Sequence, residues 1–429
     1  MKSSFFDRIG LIVFVVSLAI IAMVYGTVSS MRGWFPAPQI KLAQQTLIDV
    51  ASNWKNDLAL EPTRHLVDPG GANTGPDRGK SGGQSMSNDG YVLVAGLNEK
   101  QDESFHVVHL YDRAGEEVHR WPVHYEWLDS ERKPQNVMLH GMEVFKDGSL
   151  ALTFDGGNAI ARIDACGKPI WTRNGIFHHS ISRDGEGRLV TLLKNGVAWI
   201  DEDSGEILHT LDVEEDMITV DDGAQQAMFN IRTRSPEDAS GEISYLLDPF
   251  HINDAEPLHS DMASAFPMFE AGDVLISFRE LNLVAVVDPE SGRMKWWQHG
   301  PWFKQHDPDF EPDGRITVYD NGTGTGASKI RRIRPVDGAD VETLFAGSEE
   351  VPFYTWRRGK HQTLPNGNIL LTEAEGGRVL EVTPEGELVW ERHMVWDAEK
   401  NLIITEARFV PEDFFKTSFD SEVPDCDSR

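Results

Sequence analysis

Five histidines in this chain head a recurring phrase, and imidazoles gathered in one place can serve as nucleophiles, proton carriers or donors to an anion. The phrase reads His140-Gly-Met-Glu-Val-Phe-Lys-Asp-Gly148, then His179-Ser-Ile-Ser-Arg-Asp-Gly-Glu-Gly187, then His306-Asp-Pro-Asp-Phe-Glu-Pro-Asp-Gly314. It returns two residues shorter as His361-Gln-Thr-Leu-Pro-Asn-Gly367, and more loosely from His259 to Gly272. One such histidine is ordinarily a satisfied polar residue of a strand. Five at one repeat position are harder to explain by packing, because a core needs no imidazole. The chemistry-bearing residues are densest between His251 and Asn321: His251-Ile-Asn-Asp, His259-Ser-Asp261, Ser277-Phe-Arg279, Gln305-His306-Asp307 and Tyr319-Asp320-Asn321. A neutral imidazole nitrogen can attack an electrophile, and an arginine offers a planar fork of donors to anionic oxygens.

Elements of a particular kind must hold these residues. After each phrase a turn such as Lys146-Asp-Gly or Pro365-Asn-Gly leads into an apolar β-run. A second run follows, then a glycine turn, then a strand closing on an aromatic, as in Ile160 to Trp171, Val284 to Trp296 and Val379 to Trp390. Short β-branched runs bounded by such turns are antiparallel strands. Four strands per unit is the size of a propeller blade, and repetition at this spacing indicates a radial array. Six units are counted, with strand pairs beginning near Tyr91, Leu150, Leu189, Val274, Ile316 and Ile369, and an insertion from Asp212 to Pro257. The fold expected is an all-β, six-bladed β-propeller with an N-terminal transmembrane helix. Two stacked β-sandwiches would share the strand signals, but the regular repeat order favours the propeller. In a blade the first strand lines the central channel, so the repeat histidines are expected around one channel mouth.

The chain has 429 residues with a net charge of −29, a surface that disfavours nucleic acid and anionic membrane. Any anionic substrate then needs a local island of positive charge. Ile9 to Thr27 is an uncharged apolar run preceded by Lys2 and Arg8, which favours an anchor with its N-terminus inside; a cleaved signal peptide is the alternative. Gln39 to Leu58 reads as a short amphipathic helix, and Asp68 to Asp89 as a Gly/Ser/Asn/Asp linker or irregular cap. The expected divisions are 1–30 anchor, 31–88 juxtamembrane helix and linker, 89–410 propeller and 411–429 tail. Either reading of the N-terminus places the propeller outside the cytoplasm, and an inner-membrane, single-pass protein with a periplasmic propeller is expected. Cys166 and Cys426, the only two cysteines, could pair in such a compartment. There is no Cys/His metal pattern, phosphate-binding glycine loop or Gly-x-Ser-x-Gly elbow, so neither a metal nor another cofactor is expected.

The Gln305-His306 start of a blade, followed by an apolar strand ending Asp320-Asn321-Gly322, resembles the bacterial arylsulfate sulfotransferases, as does Ser277-Phe-Arg279 preceded by a His-x-Asn element or a close variant. The resemblance covers Tyr91 to Trp390 and is most specific from His251 onward. It implies a periplasmic six-bladed propeller that moves a sulfuryl group from a phenolic sulfate to a phenolic acceptor through a sulfated histidine. Carried over residue by residue, it makes His306 the nucleophile and Arg279 the active-site arginine. It makes His259 the histidine of His-x-Asn and His179 the histidine of an earlier blade. Asp261, His140, His361 and Asn321 are the accompanying substrate-binding candidates. The chain departs from the family pattern at Asp261, where an Asn is expected and where a carboxylate would repel a sulfate. The implied partners are a phenolic sulfate donor, a phenolic acceptor and the inner membrane.

Two other readings come from different classes. A non-catalytic propeller, serving as a binding or scaffold subunit of a membrane complex, has the same fold. A quinone-cofactor dehydrogenase is a third, since Asp288-Pro-Glu-Ser-Gly-Arg-Met-Lys-Trp296 resembles the blade motif of those enzymes. Six units and a histidine-lined channel do not suit a broad flat cofactor, which ranks that reading last. Arg331-Arg332-Ile-Arg334 reads as a solvated face, while Arg357-Arg358-Gly-Lys360, just before His361, is placed to flank the channel mouth.

Overall fold

The computed structural model describes residues 5–69, 80–81, 88–99, 104–229, 231, 248–416 and 426. Two units separate by their internal packing, Met1–Arg64 and His65–Arg429. In the first, α1 spans Phe5–Arg32 and α2 spans Ala37–Asp57. The stretch Ile9–Arg32 is 24 residues long with a mean hydropathy of 2.7, long and apolar enough to cross a membrane. Most of the expected linker from Asp68 to Asp89, and most of the tail beyond Lys416, lie outside the described residues.

The second unit is a six-bladed β-propeller. Five sheets have four strands and one has five, and each runs from an inner strand outward in antiparallel order. The inner strands are β1 (Met138–Val144), β2 (Phe177–Arg183), β3 (Ile252–Pro257), β4 (His306–Phe310), β5 (His361–Thr363) and β6 (Ile404–Pro411). The strand pairs expected near Tyr91, Leu150, Leu189, Val274, Ile316 and Ile369 are the second strands of the six blades. β6 is the last strand of the chain, yet it pairs with Gly90–Leu97, the first strand of the propeller. The two ends of the repeat are thereby zipped into one blade. Two stacked sandwiches would not be closed in this way, and closure leaves no free inner edge.

The same alternation builds every blade. Residues facing neighbouring sheets are apolar and buried, among them Leu152, Val190, Ile276, Val318 and Leu380. Large aromatics anchor the outer strands. Trp121 is fully buried with its indole N–H on the Gly148 carbonyl at 2.8 Å, and Trp171 donates to the Glu202 carbonyl at 3.0 Å. Burying a side chain of this size contributes roughly 1.5–3 kcal/mol, and each indole joins one blade to the next. Cys166, in a turn of the β1 blade, forms a disulfide with Cys426, tying the tail back to the propeller across 260 residues.

Inner strands carry a second pattern. Five of the six contain a register break near their start, at His178/Ile181 in β2, Ile252/Asp254 in β3 and His306/Pro308 in β4, with counterparts in β1 and β6. A bulge re-aims the side chains beside it. Left-handed backbone at His179 (φ 56°), His251 (φ 43°), Asp307 (φ 47°) and Arg358 (φ 58°) marks the same level of the channel. Non-glycine residues hold this conformation at a cost, and such positions concentrate at functional sites.

Candidate active site

The start of β4 places His306 in a buried position, held from both ring nitrogens. Its Nδ1 lies 2.7 Å from Oδ1 of Asn321, at the end of the neighbouring strand Ile316–Asp320. The amide N–H groups of Asn321 are committed to the carbonyls of Thr355 (3.0 Å) and Arg358 (2.7 Å). The side-chain oxygen is therefore what faces the imidazole. An amide oxygen only accepts, so Nδ1 carries the proton and Nε2 keeps its lone pair. The backbone N–H of Arg358 points at that lone pair from 3.2 Å. Burial pushes the His306 pKa well below its ordinary value, partly offset by the Asn321 hydrogen bond; the nearby charge of Arg279 pushes it down further.

Other imidazoles close in from the adjacent blades. The rings of His140 and His179 have centroids 4.4 Å apart, and His251 lies 5.4 Å from His179. Gly141 allows this approach, since a Cβ there would sit 2.1 Å from the His179 carbonyl oxygen. His178 gives its Nε2–H to the Lys194 carbonyl at 2.8 Å, so its Nδ1 accepts a proton shared with His179 Nδ1 at 2.7 Å. Asp155 stands between His140 (3.3 Å) and His179 (3.6 Å). Burial alone would raise its pKa, but the two imidazoles and Arg358 outweigh this and hold it well below the usual range. Burial in turn keeps His179 far less basic than usual.

Cations rim this mouth. Arg279 follows the strand Val274–Phe278, and its backbone N–H binds the His251 carbonyl at 3.0 Å. Its guanidinium pairs with Glu280 at 2.7 Å. Arg357 and Arg358 share one oxygen of Glu375, each at 2.7 Å. The local positive charge demanded by a chain of net charge −29 is present.

The repeat histidines do not all reach this level. His140, His179 and His306 do. His361 pairs with Leu371, the third residue of its second strand, whereas His306 pairs with Tyr319, the fourth of its own. The register position of His361 is thus that of Pro308. The shorter phrase places it one layer deeper, fully buried, with Nδ1 on Asp307 at 2.9 Å. His259 lies beyond the far end of β3, with its Nε2 2.5 Å from the Arg183 carbonyl, and Asp261 beside it is exposed. The expectation that these two stand with the others is corrected: the blade of β3 brings His251 to the mouth. Its literal motif is His251-Ile252-Asn253, and buried Asn253 donates to the Gln305 carbonyl at 2.8 Å. Asn321 is buried behind His306 and is not part of the channel wall. Sequence reasoning passed over His251, although the His-x-Asn pattern was written there. It gave no signal for Asp155, which enters from a second strand.

Below the mouth the channel becomes acidic. Lys360 bridges Asp307 (2.8 Å) and Asp254 (3.1 Å). Gly359 makes the preceding bend possible, with φ 104° and Tyr319 ring atoms 2.6 Å from where a Cβ would stand. The far end opens into a cavity of about 470 Å³ lined by residues of all six inner strands. Burial and mutual repulsion hold Glu256 and Asp309 there well above the usual carboxylate range.

A family model described as "Arylsulfotransferase (ASST)" matches residues 141–395. No curated protein matches the chain. Among solved structures, a protein of unknown function from Bacteroides caccae is 12% identical with a TM-score of 0.49, covering 75% of this chain and 99% of its own. TolB from Acinetobacter baumannii is 11% identical with a TM-score of 0.42, covering 76% and 69%. Virginiamycin B lyase from Staphylococcus aureus is 14% identical with a TM-score of 0.35, covering 60% and 70%.

Proposed function

The chain belongs to the arylsulfotransferase family, and from that premise we propose that it transfers a sulfuryl group between phenolic compounds through a sulfohistidine on His306. The observation that carries this reading is the fixed tautomer of His306, a buried neutral imidazole with its proton on the Asn321 side and its lone pair on Nε2. In the first half-reaction Nε2 forms a bond to sulfur while the bond from sulfur to the aryl oxygen breaks. The phenolate leaves with that electron pair, and a neighbouring histidine in its imidazolium form gives a proton to it and becomes neutral. His306 keeps its Nδ1 proton throughout, so the sulfated ring is cationic and its N–H is held by an acceptor. In the second half-reaction the acceptor phenol gives its proton to the neighbouring imidazole left neutral by the first, its oxygen attacks sulfur, and the N–S bond breaks with its electron pair returning to Nε2.

Charge on the sulfuryl oxygens is what the site must hold. Transfer of this kind is helped mainly by positioning and by fixed positive donors. Arg279 supplies a two-pronged donor, and its charge is already felt by His306. The backbone N–H of Arg358 donates to the Nε2 lone pair at 3.2 Å before reaction; it must release that lone pair for attack, and is then placed to donate to an oxygen of the transferred group. His251, His179 and His140 are the proton carriers and further donors; Asp155 faces Nδ1 of His140 at 3.3 Å, and His178 takes the Nδ1 proton of His179. In this assignment His251 and Asn253 take the place first given to His259 and Asp261, which removes the carboxylate from the sulfate site.

Helix α1 serves as a single-pass anchor in the inner membrane with the propeller in the periplasm. The Cys166–Cys426 disulfide supports an oxidising compartment. Intact-mass spectrometry after exposure to nitrophenyl sulfate tests the function. A stable gain of one sulfuryl group, mapped to His306 and absent in His306→Ala, is the expected result. No label and no transfer from any phenolic donor would replace the enzyme with a ligand-binding propeller.

A further inference from the structure

Helix α2 carries an open apolar stripe. Ile40, Ala43, Leu47, Val50, Trp54 and Leu58 recur at intervals of three and four residues, so they share one face of α2 and of its C-cap. All six are exposed, Leu47 to 70% and Trp54 to 47%. Asn56, the one buried residue of α2, stands on the opposite side. The polar remainder carries no net charge, since Lys41 and Lys55 balance Asp49 and Asp57. A contiguous row of large exposed apolar side chains marks a surface that meets another apolar phase.

The corner before α2 fixes where this stripe begins. Gly33 adopts φ 65°, and the Trp34 N–H reaches back to the Ser29 carbonyl at 3.0 Å, the closure that ends a helix on a left-handed residue. The hydroxyl of buried Ser29 donates to the Trp34 carbonyl at 2.7 Å, and Tyr25 donates to the Phe35 carbonyl at 2.8 Å. Ten residues of continuous helix would span about 15 Å. One side chain bridging Tyr25 to Phe35 therefore shows that the chain has turned beside the last turns of α1. An antiparallel return would bury the two helices on each other, yet Val16, Ile20 and Met23 of α1 are exposed, as is the stripe of α2. Helix α2 thus leaves to the side of α1.

We propose that α2 lies along the lipid surface as an interfacial helix, with its stripe facing the acyl chains of the leaflet that α1 reaches; this rests on α1 being the membrane anchor. Ile9–Arg32 is long enough to cross a hydrocarbon core of about 30 Å, so the corner at Gly33 stands at headgroup level. A helix leaving sideways from that level runs along the surface. Its apolar face then sinks roughly 5–10 Å into the boundary between headgroups and chains. Trp34 at the corner and Trp54 near the far end, both exposed, sit where amphipathic rings collect. A second copy of the chain fits the stripe less well. A coiled-coil seam is flanked by charged residues that pair across it. Here the flanks are Gln44, Thr46, Ala51 and Asn53. The balanced charge of α2 also means that its binding needs no anionic lipid.

The full chain, carrying one nitroxide-labelled cysteine, is reconstituted in phosphatidylcholine vesicles, with Cys166 and Cys426 left paired and unlabelled. Electron paramagnetic resonance reads the access of oxygen, which concentrates in lipid, and of a water-soluble nickel complex. The label at Leu47→Cys should be about ten-fold less accessible to nickel than the label at Gln45→Cys on the opposite face, and open to oxygen. A label at Val16→Cys reports on α1 separately. Equal nickel access at positions 47 and 45, with Val16→Cys in lipid, overturns the proposal and leaves the anchor standing. Spin–spin broadening at position 47, with both reagents shut out, overturns it in favour of a second copy. Nickel access at Val16→Cys overturns the anchor and the proposal with it.

Discussion

His306 gives its Nδ1 proton to Oδ1 of Asn321 across 2.7 Å, and Asn321 can present no other atom because its amide hydrogens are bound elsewhere. A residue first read as touching substrate therefore sets the protonation pattern of His306 from behind. Losing the acceptor frees the ring to rotate and to change tautomer. Asn321→Ala should lower kcat by about ten- to a hundred-fold, since a buried hydrogen bond lost at one partner costs about 1–3 kcal/mol. KM should move little. Steady-state kinetics with an aryl sulfate checks this, and a change confined to KM would return Asn321 to the substrate side.

His306 is held well below its ordinary pKa by burial. A histidine in water protonates near pH 6.5 and would be lost as a nucleophile there. The rate of sulfation of His306 should stay level from pH 7.5 down to 5.5. Single-turnover labelling over that range reads it directly, and a half-loss near pH 6.5 would show that the site is wetter than its geometry.

Two histidines compete for one role. His251 stands at the mouth beside His179, while His259 is bound to the Arg183 carbonyl at the far end. His251→Ala should cost at least a hundred-fold in kcat/KM, and His259→Ala less than three-fold. Arg279→Lys should be severe because lysine keeps the charge and loses the fork. If His259→Ala is the more damaging change, the assignment of the β3 blade is reversed.

His106 is buried, and its folded pKa falls from 6.5 to about 3 because burial excludes the charged form. Its Nε2–H is on the Val137 carbonyl at 2.9 Å. A base with a depressed folded pKa binds its proton more readily when unfolded. The stability it contributes is therefore complete above pH 6.5 and is lost as pH falls toward about 3. The loss should run at about 1.4 kcal/mol per pH unit in that window. Denaturant unfolding of wild type and His106→Gln between pH 7 and 4 tests it; the variant should show the shallower slope.

The disulfide between Cys166 and Cys426 restrains a long stretch of unfolded chain and holds the tail on the β1 blade. Cys426→Ser should lower stability by about 2–4 kcal/mol. It should leave His306 labelling intact, because neither cysteine is near the channel mouth. Thermal unfolding and labelling, run on the same variant, separate the two effects.

The repeat was legible because propeller blades are local objects. Turn, strand and closing aromatic recur within each unit, and antiparallel neighbours in sequence are neighbours in space. Six blades, the apolar helix α1, and the placing of His140, His179 and His306 at one mouth follow from the order of residues. What the order leaves open is register. His361 carries the same phrase as His306, but its phrase is two residues shorter, and it stands opposite the third residue of its second strand where His306 stands opposite the fourth, one layer deeper. His259 heads a looser copy in which twelve residues separate it from Gly272, too many for one turn, so it falls past the strand end while His251 takes the mouth. Asp155 approaches from a second strand with no local pattern to mark it, and the contacts of Asn321 and Arg358 with His306, residues the sequence did single out, appear only in the fold. Closure of the ring decides which of these side chains meet, because only then do the starts of six distant strands share one channel.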